Sequence, residues 1–216
     1  LRRAKDLKKP VVVHVNTIKG KGYAYAEKNP SHYHGVGGFD PVSGQLSVPA
    51  ESFSAHFGSW LTMRARRDER ICAIAAAMRD GTGLQAFAEE FGPKNRFFDV
   101  GIAEEHAVTF ACGLAAGGLL PVFAVYSTFL QRAYDQLIHD ASIEPQHIVL
   151  ALDRAGFVGE DGETHQGLFD AAFLSSIYGM TVYSPASYAE LEYAMERALY
   201  HCKGPVAVRY PRGGAP

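Results

Sequence analysis

The sequence predicts an α/β fold, a mostly parallel sheet with helices on both faces. Between residues 71 and 208, short apolar runs alternate with longer segments of helical periodicity. The apolar runs lack polar alternation, which is typical of strands that are buried on both faces. Strands that alternate with helices build a parallel sheet, because each helix carries the chain back to the start of the next strand.

The apolar runs and the segments of helical periodicity locate the individual strands and helices along the chain. The first predicted helix, residues 52–69, has apolar side chains at Phe53, Phe57, Trp60 and Leu61, the spacing of one helix face. The other predicted helices are residues 84–91, 104–116, 129–139, 168–178 and 188–201. The predicted strands are residues 71–74, 97–100, 120–125, 147–152, 181–183 and 206–208. In such sheets, ligands bind beyond the carboxyl ends of the strands.

The first fifty residues differ from the rest. Residues 10–15, Pro-Val-Val-Val-His-Val, predict a short buried parallel strand. Residues 16–49 show no convincing periodicity and are punctuated by glycine and proline. A loop of this length is uncommon in a compact domain unless it is functional or a linker, so we interpret it as a linker that also lines a site.

Composition narrows the class of protein. The chain has 216 residues, 47% of them hydrophobic, and a net charge of −2, so charge gives no indication of a nucleic-acid or membrane partner. The sequence contains no apolar run long enough to predict a membrane span. Its cysteines, Cys72, Cys112 and Cys202, are odd in number and far apart, which favours a reducing cytoplasm over a disulfide framework.

The segment from Phe98 to Ala107 carries the clearest chemical signal. A predicted strand runs through Gly101 into a helix whose first turn contains Glu104. The helix N-terminus favours the Glu104 anion by ~0.3–1 kcal/mol if the side chain is exposed. A carboxylate held there is suited to hydrogen-bonding a cofactor ring nitrogen. The alternative interpretation is an acid that only complements the helix dipole.

Further polar motifs follow the ends of other predicted strands. They are Tyr126-Ser127-Thr128-Phe129, Asp153-Arg154-Ala155-Gly156, Gly159 to Gly167, and Arg209-Tyr210-Pro211-Arg212-Gly213. Taken singly, each arginine is compatible with a surface ion pair, Phe129 with a core position, and Asp161-Gly162 with a turn. Because each motif follows a predicted parallel strand, the motifs are expected to meet at one edge of the sheet, as a shared pocket requires.

In this order, the motifs resemble the 1-deoxy-D-xylulose-5-phosphate synthase family of the transketolase superfamily, over nearly the whole chain. The resemblance implies a transferase that uses thiamine diphosphate to join pyruvate to D-glyceraldehyde 3-phosphate with loss of CO₂, giving a precursor of isoprenoids, thiamine and pyridoxal. It implies a cytoplasmic homodimer. Residues 1–50 then correspond to the C-terminal tail of the diphosphate-binding domain plus a linker, and residues 51–216 to the pyrimidine-binding domain.

The same resemblance implies roles for individual residues. The catalytic residues are Glu104, His165 and His34. Those that bind the cofactor are Tyr23, Glu104 and Phe129. Those that bind the acceptor substrate are Tyr126, Arg154, Asp161, His165 and Arg212. Glu105 stands where the family motif usually has glutamine, and its side chain is expected to face away from that of Glu104, because adjacent helical residues point about 100° apart.

The family's magnesium motif, Gly-Asp-Gly followed by an asparagine, is not found in this sequence. The resemblance therefore places the Mg²⁺ ligands in a preceding segment, and we predict no metal ligand among these residues. We expect this stretch of chain to be inactive by itself. The alternatives are a catalytically silent dimerisation or binding module, a transketolase, or the beta-type chain of a pyruvate dehydrogenase.

Overall fold

The computed structural model describes residues 1–30, 32–34, 37–46 and 51–215. The chain divides into two compact units, Leu1–Pro49 and Ala50–Pro216. None of the described helices is both long and apolar enough to cross a membrane.

The second unit is built on a six-stranded sheet in which every pair of neighbouring strands is parallel. The strands are β1 (Ile71–Ala75), β2 (Phe97–Asp99), β3 (Leu120–Tyr126), β4 (Val149–Asp153), β5 (Thr181–Tyr183) and β6 (Val206–Arg209). Their order is β2-β1-β3-β4-β6-β5. The predicted parallel α/β fold is confirmed, and all six predicted strands are present.

Helices cover both faces of this sheet. The first unit contains α1 (Arg2–Asp6) and α2 (Ala24–Lys28). The second unit contains α3 (Phe53–Ala65), α4 (Gln85–Phe91), α5 (Glu104–Ala116), α6 (Ser127–Leu130), α7 (Tyr134–His139), α8 (Asp170–Ser175) and α9 (Tyr188–Tyr200). Ser52 and Ser187 cap α3 and α9, because each hydroxyl accepts a hydrogen bond from the amide three residues ahead.

Two buried clusters make up the core of the second unit, one on each face of the sheet. Successive residues of β1 alternate between them: Ile71, Ala73 and Ala75 join the cluster formed with α3, α4 and α9, and Ile74 joins the cluster formed with α5 and α7. This alternation follows from the two-residue period of a strand. All five β1 residues are buried, which explains why the sequence of this strand is a continuous apolar run.

The helix predicted over residues 129–139 is interrupted. The chain runs through α6, a 3₁₀ turn at Gln131–Ala133, and α7. Leu130, Ala133 and Leu137 are nevertheless fully buried, so the apolar periodicity that predicted one helix continues through the turn. The prediction of one continuous helix was wrong, because the tighter hydrogen-bonding of the 3₁₀ turn leaves no trace in apolar spacing.

The strand predicted at residues 10–15 is also wrong. These residues take no regular secondary structure, and the side chain of Val12 is 94% exposed. A strand needs a neighbour for its backbone groups, and among the described residues of this unit the recorded bridge joins Phe39 to Leu46. An apolar run therefore did not suffice to form a strand here.

Candidate functional site

The site lies where the order of the strands changes direction. The chain passes from β1 to β2 on one side, and then to β3 on the other side of β1, so β1 and β3 leave a crevice beyond their carboxyl ends. The segment after β1 crosses this crevice at close range. A Cβ built at Gly81 would lie 1.8 Å from the hydroxyl oxygen of Tyr126, so a side chain at this position would require Tyr126 to shift.

Glu104 is the first residue of α5 and is only 1% exposed. Its Oε1 accepts a hydrogen bond of 2.7 Å from Nη1 of Arg132. Its Oε2 is buried and has no hydrogen-bond partner among the described residues. Buried carboxylate oxygens are normally paired, so a donor is expected to occupy this place when the site is filled.

The residues that follow Glu104 point elsewhere. The side chains of Glu105 and His106 are exposed, and the His106 ring lies 5.9 Å from that of Phe110 in a stacked arrangement. Glu105 therefore faces away from Glu104, as helical geometry predicts. Of these two adjacent acids, the structure buries Glu104.

Aromatic rings line the crevice beside Glu104. The centroid of the Phe129 ring lies 5.3 Å from that of His165 in an edge-on arrangement and 6.0 Å from that of Tyr126. The guanidinium carbon of Arg132 lies 4.7 Å from the centroid of the Phe129 ring. Arg132 thus touches both the buried carboxylate and the ring that sequence analysis assigned to the cofactor.

Two arginines that are far apart in sequence converge on one carboxylate. Nε of Arg154 donates to Oδ2 of Asp161 over 2.8 Å, and Nε of Arg212 lies 3.4 Å from the same oxygen. Nη1 of Arg154 also donates to the carbonyl oxygen of Gly81 over 3.0 Å. The guanidinium carbon of Arg154 lies 3.8 Å from the ring centroid of Tyr126. These contacts bring the predicted acceptor-binding residues together.

The backbone of Arg154 has a φ of +59°, a left-handed conformation that non-glycine residues adopt rarely. Such strain persists where the surrounding structure holds it, and it often occurs at functional sites. Here it directs a large cation across the Tyr126 ring. Burial raises the pKa of Tyr126 above its ordinary value of 10, so its hydroxyl stays protonated and able to donate.

A second carboxylate, that of the buried Asp153, lies next to Arg154. Asp153 is fully buried, accepts a hydrogen bond of 2.5 Å from the Ser54 hydroxyl at Oδ2, and places Oδ1 3.2 Å from Nη1 of Arg154. The last contact is an ion pair without hydrogen-bond geometry. Burial raises the pKa of Asp153 from 3.8 to about 6, although Arg154 and Ser54 act in the opposite direction.

Arg132, Asp153 and Ser54 contribute to the site, but no sequence motif indicated a binding or catalytic role for them. Arg132 lies three residues after Phe129, a spacing that brings side chains together on a helical turn and could have indicated the contact. Ser54 lies 99 residues from Asp153, so no local pattern reports that pair.

Tyr23 and His34 belong to the first unit, and their recorded contacts lie within it. The Tyr23 hydroxyl donates to the carbonyl oxygen of Pro41 over 3.1 Å. Nδ1 of His34 lies 2.7 Å from Nζ of Lys19. Gly35 and Val36, which complete the predicted motif around His34, lie outside the described residues. The roles assigned to Tyr23 and His34 stay predictions.

Comparisons with known proteins identify relatives of this chain. The family model described as "Transketolase, pyrimidine binding domain" matches residues 51–216. A protein of Clostridium acetobutylicum named 1-deoxy-D-xylulose-5-phosphate synthase is 54% identical over 99% of this chain and 34% of its own length. A protein of Geobacter sulfurreducens named 1-deoxy-D-xylulose-5-phosphate synthase 1 is 56% identical over 97% of this chain and 33% of its own length. The chain thus spans about a third of the curated relatives it matches.

Solved structures show the same fold. A structure titled "Split gene transketolase, inactive beta4 tetramer" is 26% identical and has a TM-score of 0.66, covering 77% of this chain and 53% of that one. A transketolase from Leishmania mexicana, 19% identical, has a TM-score of 0.70 over 79% of this chain and 27% of its own. The family model covers well over half of the chain, so the chain belongs to the transketolase pyrimidine-binding domain family.

Proposed function

We propose that this chain is part of a 1-deoxy-D-xylulose-5-phosphate synthase. The proposed reaction joins pyruvate to D-glyceraldehyde 3-phosphate with loss of CO₂, and it depends on thiamine diphosphate. The observation that carries the proposal is the buried Glu104 carboxylate, which keeps one oxygen without a partner among the described residues, beside the Phe129 ring. The names of the curated relatives support the choice of reaction.

The described residues fit the pyrimidine half of thiamine diphosphate. A ring N–H would satisfy Oε2 of Glu104, and the half-buried Phe129 side chain offers an aromatic surface to the same ring. When bound, this cofactor supplies a nucleophilic carbon and, in its thiazolium ring, an electron sink. Glu104 would hold a proton at the far ring nitrogen, and Phe129 would exclude water from one side of the ring.

The residues around Asp161 suit the acceptor substrate. Arginine guanidiniums bind phosphate oxygens in a bidentate manner, and Arg154 and Arg212 approach one point from separate strand ends. The protonated Tyr126 hydroxyl can donate to the same phosphate or to a neighbouring oxygen. Asp161 can accept from a substrate hydroxyl. His165, which lies at the edge of the Phe129 ring, would move a proton to or from the carbonyl oxygen.

The remaining assignments belong to the same proposal. Residues 1–50 would be the tail of the diphosphate-binding domain plus the linker, with Tyr23 contacting the cofactor and His34 facing the reacting carbons. Residues 51–216 would be the pyrimidine-binding domain. Among the described residues, no group of three or more histidine, cysteine, aspartate or glutamate side chains could hold a metal ion. The Mg²⁺ that holds the diphosphate would take its ligands from another segment of a cytoplasmic homodimer.

The test is CO₂ release from pyruvate by the full-length protein, measured with and without D-glyceraldehyde 3-phosphate. We expect release that the aldehyde stimulates and that collapses in the Glu104→Ala variant. Release that is indifferent to the aldehyde would assign the protein to another class of thiamine-dependent decarboxylase. Absence of release under both conditions would favour a non-catalytic module.

A further inference from the structure

We propose that Arg132 is a positioning residue that holds Glu104 as a carboxylate, with one oxygen engaged and the other left for the cofactor. This inference rests on the proposed binding of thiamine diphosphate. It specifies that Glu104 is a carboxylate when the pyrimidine ring binds, and that Arg132 maintains this charge.

The first support is the contact itself. Nη1 of Arg132 lies 2.7 Å from Oε1 of Glu104, whose side chain is 2% exposed. A carboxylate that is taken out of water loses its hydration, and a charge-assisted hydrogen bond from a guanidinium compensates for that loss. Without Arg132, neither oxygen of this buried acid would have a hydrogen-bond partner among the described residues.

The second support is the way in which Arg132 is held. It lies in the 3₁₀ turn Gln131–Ala133, which the fully buried side chain of Ala133 anchors to the core. Its guanidinium lies over the ring of Phe129, at 4.7 Å from the centroid. One guanidinium therefore fixes both the acid proposed for the ring nitrogen and the ring proposed for stacking.

The positive charge also determines where a shared proton resides. A cofactor ring nitrogen bound at Oε2 of Glu104 would carry a proton whose release depends on the charges around it. Because Nη1 of Arg132 lies 2.7 Å from Oε1, its positive charge favours the arrangement with the anion on Glu104 and the proton on the ring. It also repels a proton on the ring nitrogen, so the bound ring would release that proton at a lower pH than it would without Arg132.

Other titratable groups lie on α5, on the elements packed against it, or beside Phe129, and each faces solvent or has another recorded contact. They are Asp99, Glu105, His106, Tyr126, Tyr134, Asp135, His139, Asp140 and His165. The two buried thiols, Cys72 on β1 and Cys112 on α5, stay neutral, because burial raises their pKa to about 12. Arg132 is the charged group that the described structure places on the Glu104 carboxylate. Because its side chain is 48% exposed, water screens part of its field, and we expect an effect of about one pH unit rather than several.

The test uses the full-length protein saturated with thiamine diphosphate. The near-ultraviolet absorption of the bound aminopyrimidine is titrated with pH, and calorimetry measures the affinity for thiamine diphosphate. Arg132→Met removes the charge and keeps the stem, Arg132→Gln is a second neutral variant, and Arg132→Lys keeps the charge. Arg66→Met is the matched control, because Arg66 forms an exposed ion pair with Glu90 away from this site.

We expect the midpoint of the titration to rise by about one pH unit in both neutral variants and to stay within a few tenths of a unit in Arg132→Lys. Affinity should fall on the order of tenfold in the neutral variants, as for loss of a hydrogen bond to a charged group. In a Glu104→Gln background, the same replacement should shift the midpoint less, because an amide takes up no proton.

The outcomes separate this inference from the function on which it rests. If the unmodified protein binds no thiamine diphosphate, the proposed function fails and this inference falls with it. If the unmodified protein binds and titrates normally but neutral variants keep the same midpoint, the inference about Arg132 alone is overturned. Loss of binding in both neutral variants, with binding retained in Arg132→Lys, would show that the charge is required.

Discussion

Replacing Asp153 with asparagine should stabilise the chain at neutral pH and leave its stability unchanged in acid. Burial raises the pKa of Asp153 from 3.8 to about 6 in the folded chain. The folded state therefore binds this proton more tightly than the unfolded state, and the free energy of unfolding falls as the pH rises through this interval. Above the folded pKa, a difference of about two units corresponds to roughly 3 kcal/mol.

Asparagine is neutral at every pH and can still accept the hydrogen bond from Ser54. At about pH 7.5, Asp153→Asn should therefore raise the free energy of unfolding by up to ~3 kcal/mol, and the difference should vanish below about pH 4. Arg154 keeps its contacts with Asp161 and with the carbonyl oxygen of Gly81. Urea denaturation at several pH values, followed by the fluorescence of Trp60, the only tryptophan, measures the effect.

Asp68→Asn is the matched control and should have the opposite sign. The hydrogen bond from Arg70 lowers the pKa of Asp68, so its carboxylate contributes stability above the unfolded pKa and loses it as the pH falls. The reasoning would be refuted if Asp153→Asn were less stable at neutral pH, or if its effect on stability were the same at every pH.

Three further predictions concern packing and binding. Gly81→Ala should lower the free energy of unfolding by about 1–3 kcal/mol in urea denaturation, because the added Cβ meets the Tyr126 hydroxyl, whereas Gly92→Ala, whose Cβ would meet nothing within 4 Å, should be tolerated. Leu137→Ala should lower the free energy of unfolding by roughly 2–5 kcal/mol because Leu137 is fully buried, and Ile138→Ala, on the exposed side, should change it far less. In steady-state assays of the full-length protein, Arg154→Met should raise the KM for D-glyceraldehyde 3-phosphate roughly tenfold to a hundredfold, as expected for lost charge-assisted bonds. The Arg66→Met control should leave that KM unchanged.

Each of these predictions can fail separately. Equal stability of the Gly81→Ala and Gly92→Ala variants would mean that the crossing segment is not tightly held against Tyr126. Similar losses in Leu137→Ala and Ile138→Ala would contradict the assigned inner face of α7. An unchanged KM in Arg154→Met would remove Arg154 from the proposed phosphate site.

The elements that the sequence predicted best are those determined by local burial. β1 and β4 are buried along their whole length, so their apolar composition identified them directly. The same signal failed at residues 10–15, because strand formation also needs a hydrogen-bonded neighbour. Apolar spacing also missed the 3₁₀ turn that interrupts the helix predicted over residues 129–139.

In the candidate site, too, the sequence predicted what depends on local position and missed what depends on distant contacts. The sequence placed Tyr126, Phe129, Arg154 and Asp161 near one another, because each lies in a segment that follows a parallel strand, and the structure brings them together. Arg132 could not be assigned in this way, because its role depends on a contact with Glu104 across 28 residues of sequence. Ser54 and Asp153 meet only once the first helix of the unit packs onto the sheet. Long-range polar contacts of this kind have no local sequence pattern.

The central claim is that the buried Oε2 of Glu104 accepts a hydrogen bond from the pyrimidine ring of thiamine diphosphate. Its most direct test is the rate at which the proton on the cofactor's thiazolium carbon exchanges with deuterium in the full-length protein, measured by quenched-flow NMR. We predict that Glu104→Gln slows this exchange at least ~100-fold, the scale of general acid–base assistance, while Glu105→Gln leaves it unchanged. Equal rates in the Glu104→Gln variant and the unmodified protein, with the cofactor bound in both, would contradict the claim.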